Sequence, residues 1–391
     1  MLIFLMQSWY TPKDNGKLND NFFLEQAEAI NKNTENRVIL LNGGLTDRTG
    51  IKCKANYRLQ HCFQTCESFS YTRPSFGRAR FFQIWAMECT YRNFLTVYHE
   101  AKRLYGVPDI IHAHSFTAGY CAVNIGHVDN IPVIITEHSS KVLTKNLSKY
   151  YKKILKKSVN NASLFLAVSD GLRISIEGIT GIKNKVETVA NLVNPIFNYD
   201  AAAKKTNDHF QFISVGNLIE SKGMDILIRA FCKAFTQNDN VQLTIIGDGS
   251  CKENLKKLIY ANNRTSQIFL CGQLPRSEVA KKMKESHAFV FASKYETFGV
   301  VNIEAMACGL PILTCDNIGN AQMDIPHNGI LLEQCDVNTF AYGMKKIVKE
   351  IDKFDNEEIS KRCIEKYGLN AFVSIHEQMY KRVILENKQG K

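Results

Sequence analysis

Short, uninterrupted apolar runs recur along this chain, each followed by a stretch of helical periodicity, and this alternation constrains the fold more than any other feature. The runs lie at residues 38–41, 110–112, 133–136, 164–168, 212–215, 242–246, 268–271, 288–292 and 312–314. They show little polar alternation, which marks strands covered on both faces of a parallel sheet. Helical-period segments such as 224–235 and 278–286 stand between them. Strand–helix–strand repetition of this kind predicts doubly wound α/β sheets.

The pattern runs through the chain twice. The first set of strands ends near Val189, and a polar stretch at 194–209, with Pro195, three consecutive alanines and Lys204-Lys205, reads as a linker. A new strand and a Val215-Gly216 turn open the second set. The chain's 391 residues exceed the roughly 100–200 of a single domain, and 45% hydrophobic residues suffice for two cores. The expected layout is a domain over 1–193, the linker, a second domain over 210–366, and a last helix over 367–391 that crosses back to the first domain. Two such domains leave a cleft between the carboxyl ends of their strands, where open α/β sheets bind ligands.

The first six residues are apolar but lack the basic lead and small-residue cleavage site of a secretory signal. No apolar run approaches the ~20 residues that cross a bilayer, and the expected location is the cytoplasm. The 12 cysteines form no Cys-x-x-Cys pair and read as free thiols of a reducing compartment. A net charge of +11 is compatible with nucleic acid, an anionic membrane face or anionic substrates. Zinc-finger spacing and aromatic-basic RNA-binding strands are both missing from the sequence, which argues against nucleic acid.

The chemistry concentrates at 289–313. Phe289-Val290-Phe291-Ala292 reads as a buried strand, 293–299 as a polar, glycine-ended loop at its carboxyl end, and 300–308 as a helix stopped by Gly309 and Pro311. The loop points a helix N-terminus to the ligand side of the sheet, where free N–H groups and the helix dipole favour a phosphate. Glu296 stands in the loop and Glu304 eight residues later. One carboxylate near a helix start is ordinary. A pair framing it can divide two tasks, since a carboxylate beside a bound diphosphate accepts hydrogen bonds from vicinal ribose hydroxyls.

The string Ser293-x-x-Glu296-x-Phe298-Gly299-x-Val301-x-x-Glu304-Ala305-Met306-Ala307-x-Gly309-x-Pro311 resembles the Glu-x7-Glu signature of retaining glycosyltransferases of the GT-B fold, family four of the glycosyltransferase classification. Further stretches match in the family's order. Val215-Gly216-x-Leu218 and Lys222-Gly223-x-Asp225-x-Leu227-Ile228-x-Ala230-Phe231 resemble its phosphate loop, Ile246-Gly247-Asp248-Gly249 the next strand end, Phe269-x-Cys271-Gly272 its base-pocket strand, and Asn328-Gly329-Ile330-Leu331 a late strand. In the first half, Ser8-Trp9-Tyr10, Phe23-x-Glu25-Gln26-Ala27, His112-Ala113-His114 and Val168-Ser169 are looser matches.

The resemblance implies two Rossmann-like domains facing a cleft. It implies transfer of a sugar, with retention and without a metal or other cofactor, from a nucleotide-diphosphate sugar to a glycan or lipid-linked glycan hydroxyl, as in surface polysaccharide assembly. Uridine diphosphate is the donor nucleotide that the family uses most often. By the same resemblance Glu304 binds the ribose hydroxyls, and Glu296 sits near the transferring sugar. The N–H groups of Phe298, Gly299 and Val300 face the diphosphate, with Lys222 pairing to it and Gly216 and Asn217 on the phosphate loop. Gly272 lies at the base, and His114 contacts the donor sugar, whereas His112 and His138 read as structural. The physics agrees, because a preorganised cation and a helix dipole can offset the charge that a departing diphosphate gains. No Asp-x-Asp occurs, which fits metal-independent transfer. Two carboxylates near one sugar also raise double displacement, but the resemblance favours front-face attack.

Some positions depart from the pattern. Asn217 stands where the family often has arginine, so Lys222 carries more of the diphosphate charge. Asp20-Asn21 precede Phe22-Phe23 where a glycine is usual, although Gly16 is present, and Asn320 replaces a second glycine after Gly319. Gly247-x-Gly249 is not a dinucleotide fingerprint, because Lys252 occupies the third glycine position. A sugar-nucleotide epimerase of the same shape and a non-catalytic sugar-nucleotide-binding subunit are the competing readings, the second kept open by Asn217.

Residues 141–157 hold seven lysines and no acid, with Leu143, Leu147, Tyr151 and Ile154 at helical spacing. They read as one basic amphipathic helix suited to an anionic membrane face, to which a peripheral protein would attach. Arg73, Arg78 and Arg80 with Phe76, Phe81, Phe82 and Trp85 form a second basic-aromatic stretch. A lipid-carried acceptor would explain both.

Overall fold

The computed structural model describes residues 1–7, 22–46, 56–63, 66–74, 82–203, 208–320 and 322–389. They divide into two compact units, Met1–Ala190 with Phe372–Lys391, and Asn191–Ala371.

The first unit opens with β1 (Leu2–Gln7), α1 (Phe22–Asn33), β2 (Arg37–Asn42), β3 (Leu45–Thr46), β4 (Asn56–Phe63), β5 (Cys66–Pro74) and α2 (Gln83–Tyr105). Three strand–helix steps follow: β6 (Ile110–His114) into α3 (Phe116–Asp129), β7 (Val133–Glu137) into α4 (Ser140–Leu143) and α5 (Lys149–Asn161), and β8 (Leu164–Ala167) into α6 (Asp170–Thr180). β9 (Val186–Thr188) closes the series. Among the described residues the sheet has nine strands in the order β3-β5-β2-β1-β6-β7-β8-β9, with β4 beside β5. β4 runs antiparallel to β5, and the other pairings are parallel. Helices cover both faces of a parallel sheet, so consecutive residues such as Ile3, Phe4 and Leu5, or Ile134 and Ile135, are all buried. The strand order reverses between β1 and β6, whose carboxyl ends bring Gln7 and His114 into register.

The second unit comprises β10 (Phe210–Val215), α7 (Met224–Ala234), β11 (Val241–Ile246), α8 (Lys252–Ala261), β12 (Ile268–Leu270), α9 (Arg276–Lys284), β13 (Ala288–Phe291) and α10 (Val300–Ala307). It continues through β14 (Ile312–Cys315), α11 (Ile325–Asn328), β15 (Gly329–Leu332), α12 (Val337–Lys349) and α13 (Asn356–Tyr367). Its described strands form a six-stranded parallel sheet ordered β12-β11-β10-β13-β14-β15. Counted within the unit this is the 3-2-1-4-5-6 order of dinucleotide-binding domains, with its reversal between β10 and β13. α7 turns Met224, Leu227, Ile228 and Phe231 inward at helical spacing into the core that holds Leu243 and Val290. Each such side chain stabilises the fold by roughly 1.5–3 kcal/mol when fully buried.

α14 (Leu369–Gln389) follows, and from Phe372 onward it belongs to the first unit. The Tyr380 hydroxyl lies 2.9 Å from His112 Nδ1, and Arg382 donates to both carboxylate oxygens of Glu187 at 2.9 and 2.8 Å.

Two expectations are corrected. The second unit begins at Asn191 rather than at 210 and runs to Ala371 rather than 366. The described part of 194–209 is not a free linker, since the apolar residues just before it and within it find their burial in the second unit. The Val193 N–H donates to the Tyr367 carbonyl at 2.9 Å, Phe197 is buried, and Lys284 hydrogen-bonds Asn198. The single helix expected over 141–157 is two, α4 and α5. Lys145 takes a left-handed φ of 56°, and the Ser148 hydroxyl accepts from the Tyr151 N–H at 3.2 Å to start the second helix. Leu143, Ile154, Leu155 and Val159 are buried, so the apolar side packs into its own unit while all seven lysines remain exposed. The stretches 8–21, 75–81 and 204–207, which include Ser8, Trp9, Tyr10, Gly16, Asp20, Asn21, Phe76, Arg78, Arg80, Phe81, Lys204 and Lys205, lie outside the described residues.

Candidate active site

The site in the second unit is built on the loops that follow β10 and β13. After β10 the chain passes Gly216 and Asn217, makes a 3-10 turn at Glu220–Lys222, and enters α7 through Gly223. Gly223 has φ 62°, and a Cβ there would lie 2.3 Å from the Ala292 carbonyl oxygen. Only a residue without a side chain lets this turn rest against the end of β13. The Lys294 N–H reinforces the approach by donating to the Ser221 carbonyl at 3.2 Å. Lys222 is thereby set against Glu296, and the two form an ion pair with side chains 21% and 12% exposed. The Lys222 ammonium also lies 5.6 Å from the Phe291 ring centroid.

A set of buried amides holds the rest of the loop. Asn317 donates to the Ser293 carbonyl at 3.0 Å and accepts from the N–H groups of Gly319 and Asn320 at 3.0 and 3.1 Å. Asn320 donates to the Thr314 hydroxyl and the Cys315 carbonyl, at 3.1 and 3.0 Å, and accepts from Asn302 at 2.7 Å. One network thus ties the ends of β13 and β14 to α10, and buried amides paired in this way rigidify a site. Gly319 backs directly onto Glu296, because a Cβ there would stand 2.8 Å from the Glu296 Cβ. Asn320, read in the sequence as a departure from glycine, is the hub of this network. Asn302 and Asn317 were missed, and the polar residues of Asp316-Asn317-Ile318-Gly319-Asn320 after an apolar strand were the available signal.

α10 starts at Gly299, whose φ is 81°. Phe298 just before it is buried edge-on to Tyr367, with ring centroids 5.7 Å apart, which anchors the helix start. The first N–H groups of a helix have no intrahelical acceptor, so the backbone at Gly299 and Val300 presents the positive end of the helix dipole. Glu304, in the second turn, is 4% exposed. Its Oε1 accepts from Arg276 Nη2 at 2.7 Å, and the Arg276 guanidinium lies 5.1 Å from the centroid of the Phe197 ring. A buried carboxylate needs such a counter-charge. Arg276 lies 28 positions from Glu304, and nothing local in the sequence pointed to it.

Gly216, Asn217 and Gly272 line the same edge of the sheet. The Gly216 N–H donates to the Ile246 carbonyl at 3.0 Å, Leu218 to Asp248 at 2.9 Å, and Gly247 to Gly272 at 2.8 Å, so the ends of β10, β11 and β12 are stitched together. Asn217 is exposed. The second unit therefore gathers Lys222, Glu296, the start of α10, Glu304 and the glycine edge.

His114 belongs to the first unit, at the end of β6. It is buried, its Nδ1 lies 2.9 Å from His138 Nε2, and the rings of His112 and Phe23 sit 4.8 and 4.7 Å away. His112 Nε2 lies 2.8 Å from the Thr136 hydroxyl. Burial depresses the whole group. His112 and His114 fall well below the ordinary 6.5, with neighbouring histidines adding to the effect, while His138 falls to about 3 and His376 to about 4. These rings are neutral. Beside them Glu137 accepts from the N–H groups of Phe116, His138 and Ser139 at 2.6, 3.0 and 2.7 Å, yet burial lifts its carboxyl to about 7. His114 Nε2 and the Gln7 amide, side by side where the strand order reverses, are buried and have no hydrogen-bond partner among the described residues. Buried polar atoms of this kind ask for a ligand or water.

Two doubly wound units, with a Glu-x7-Glu helix at the reversal point of the second, define a glycosyltransferase of the GT-B fold. The model described as Glycosyltransferase Family 4 matches residues 62–196, and that described as Glycosyl transferases group 1 matches residues 196–367. The two spans meet at residue 196 and together cover more than half of the sequence; the chain belongs to this glycosyltransferase family. It is 24% identical over 294 residues to an uncharacterised glycosyltransferase of Methanocaldococcus jannaschii, covering 70% of this chain and 75% of that protein. In fold it is similar to a sucrose-phosphate synthase of Thermosynechococcus elongatus, with TM-score 0.79 and 18% identity over 98% of this chain and 99% of the other. HepE of Anabaena, solved with UDP, superposes with TM-score 0.74 and 16% identity over 98% and 100% of the two chains.

Proposed function

We propose that this glycosyltransferase moves a sugar from a uridine diphosphate donor to a hydroxyl of a glycan or lipid-linked glycan, with net retention and without a metal. The Lys222–Glu296 ion pair beside the start of α10 carries this reading. It sets a cation, a carboxylate and helix N–H groups around one point at the strand reversal, where open α/β sheets take nucleotides. The bond between the anomeric carbon and the β-phosphate oxygen breaks, and its electron pair goes to that oxygen. Lys222 and the N–H groups of Phe298, Gly299 and Val300 stabilise the charge gained there. The acceptor oxygen bonds the anomeric carbon from the same face, and its proton passes to the departing phosphate oxygen. Glu296 holds the sugar near the developing positive charge, Glu304 binds the ribose, and Gly216, Asn217 and Gly272 border phosphate and base. His114 offers its Nε2 to a sugar hydroxyl. The UDP of HepE supports the choice of nucleotide.

The second part of the proposal is attachment to an anionic membrane face through the lysines of 141–157. Ser148 hydrogen-bonds Gln83, which sets the start of α5 beside the exposed Phe82, just before α2, and the exposed Ile84 and Trp85 in its first turn. Lysines next to exposed aromatic residues suit an interface between water and lipid.

Incubating the protein with a panel of nucleotide sugars and reading released nucleotide tests the donor assignment. Slow release from a UDP-sugar is expected, and anomeric analysis of the product should show retention. No turnover with any UDP-sugar, or an inverted product, would refute the proposal.

A further inference from the structure

We propose that Cys315 and Cys335 form a reversibly oxidised dithiol, a modification site for hydroperoxides at the root of the loop that carries Glu296. In the sheet β14 stands between β13 and β15. Cys315 ends β14, and Cys335 lies three residues beyond the end of β15. Both sulfurs reach the carboxyl end of β13. The Cys335 thiol donates to the Ala292 carbonyl at 3.1 Å, and the Cys315 thiol to the next carbonyl, that of Ser293, at 3.5 Å. Hydrogen bonding between the two thiols is the leading influence on the acidity of each. It pushes Cys315 up, with burial adding to the effect, and it holds Cys335 below the ordinary thiol range, helped by the Lys294 ammonium.

The pair divides the chemistry. Cys335 is half-buried and leans toward thiolate, whereas Cys315 is buried. A reachable thiolate beside a second thiol is what a peroxide-sensing pair requires. The Cys335 sulfur bonds one peroxide oxygen, the O–O bond breaks, and the other oxygen leaves as hydroxide, which takes the proton Cys335 has given up. The Cys315 sulfur then bonds the Cys335 sulfur, the S–O bond breaks, and the second hydroxide leaves with the Cys315 proton. Two thiols are oxidised to one disulfide, and the peroxide is reduced to two waters. The bridge removes both S–H donors from the end of β13. Ala292 loses its thiol partner at the carbonyl against which Gly223 rests, while Ser293 keeps only its bond from Asn317. The turn of Lys222 and the loop of Glu296 shift together, and turnover falls. This last step rests on the proposed roles of Lys222 and Glu296.

The test treats the reduced full chain with equimolar hydrogen peroxide. Its mass should fall by about 2 Da and return with dithiothreitol. Peptides separated by cleavage after Glu333 should be joined through positions 315 and 335. Cys335→Ser keeps a donor for Ala292, should turn over normally, and should form no bridge. Cys315→Ala should stop at a sulfenic acid on Cys335 that dimedone captures. Wild-type donor turnover should fall about 10-fold or more on oxidation, the scale of a displaced catalytic group, and recover on reduction, while Cys335→Ser should not respond. No disulfide, or one between other cysteines, would overturn the inference. A 315–335 disulfide with unchanged turnover would refute its link to the site. If the reduced protein turns over no donor, the proposed function fails, and the mass measurement still decides the dithiol by itself.

Discussion

Acidification from pH 7.5 to pH 5 should destabilise the first unit selectively. His112, His114, His138 and His376 are buried and neutral, with the last two depressed to about 3 and 4. An unfolded histidine titrates near 6.5, so below that pH the unfolded chain binds protons that the native fold refuses. The stability these rings contribute is fully present above 6.5 and is lost as pH falls toward their native values. At ~1.4 kcal/mol per pH unit, His138 and His376 each remove about 2 kcal/mol by pH 5, and burial of His112 and His114 acts in the same direction. Glu137 works in the opposite sense. Its native carboxyl is lifted to about 7 from the ordinary 4.5, so the fold binds a proton first as pH falls. That returns about 2.5 kcal/mol by pH 5 and offsets part of the histidine loss, so the balance is a fall in stability, set against the ~5–15 kcal/mol of a whole domain.

Trp85 lies in α2 of the first unit, and the chain's other tryptophan, Trp9, precedes it in the same half of the sequence, so indole fluorescence follows the unfolding of that unit. Urea titrations should show a strong fall in the fluorescence midpoint between pH 7.5 and pH 5. His376→Phe should recover about 2 kcal/mol of the difference. An unchanged midpoint, or histidine ring protons that titrate near 6.5 in the folded protein, would refute the reasoning.

Other substitutions probe the second unit and the basic surface. Lys222→Ala should lower kcat by ~10²–10³, the scale of losing one preorganised charge-stabilising donor, with circular dichroism unchanged. Gly319→Ala places a methyl group against Glu296 and should reduce kcat by ~10–100-fold with a smaller effect on nucleotide binding. Flotation with anionic liposomes should capture the protein at low salt. Reversing Lys152, Lys153, Lys156 and Lys157 to glutamate should release it, by roughly 5-fold in affinity per lysine. No capture of the wild-type protein at low salt would end the membrane reading.

The elements legible in the sequence were those whose signal is local. Phe289-Val290-Phe291 is an apolar run because β13 is covered on both faces, and Gly309 with Pro311 ends α10 where a helix stop is expected. β4 and β5 gave no such run. They pair antiparallel, and polar residues alternate through Cys66–Pro74. The broken helix at 141–157 was hidden because lysine periodicity continues across the Ser148 cap, and periodicity does not weigh a cap. The residues proposed for the donor site, which have motif spacing, were visible, but their partners were not. Arg276 meets Glu304, and Asn317 meets Ser293, only through tertiary packing. The His112-Ala113-His114 triplet was readable, while His376 and Tyr380, which close around His112, come from the far end of the chain.

The central claim is that α10 and its two flanking carboxylates read the nucleotide donor. A structure of the protein bound to UDP tests it most directly. The account predicts the diphosphate within hydrogen-bond reach of Lys222 Nζ and of the Gly299 and Val300 N–H groups, with the ribose hydroxyls on Glu304. UDP bound away from the start of α10, or a ribose held by a group other than Glu304, would contradict it.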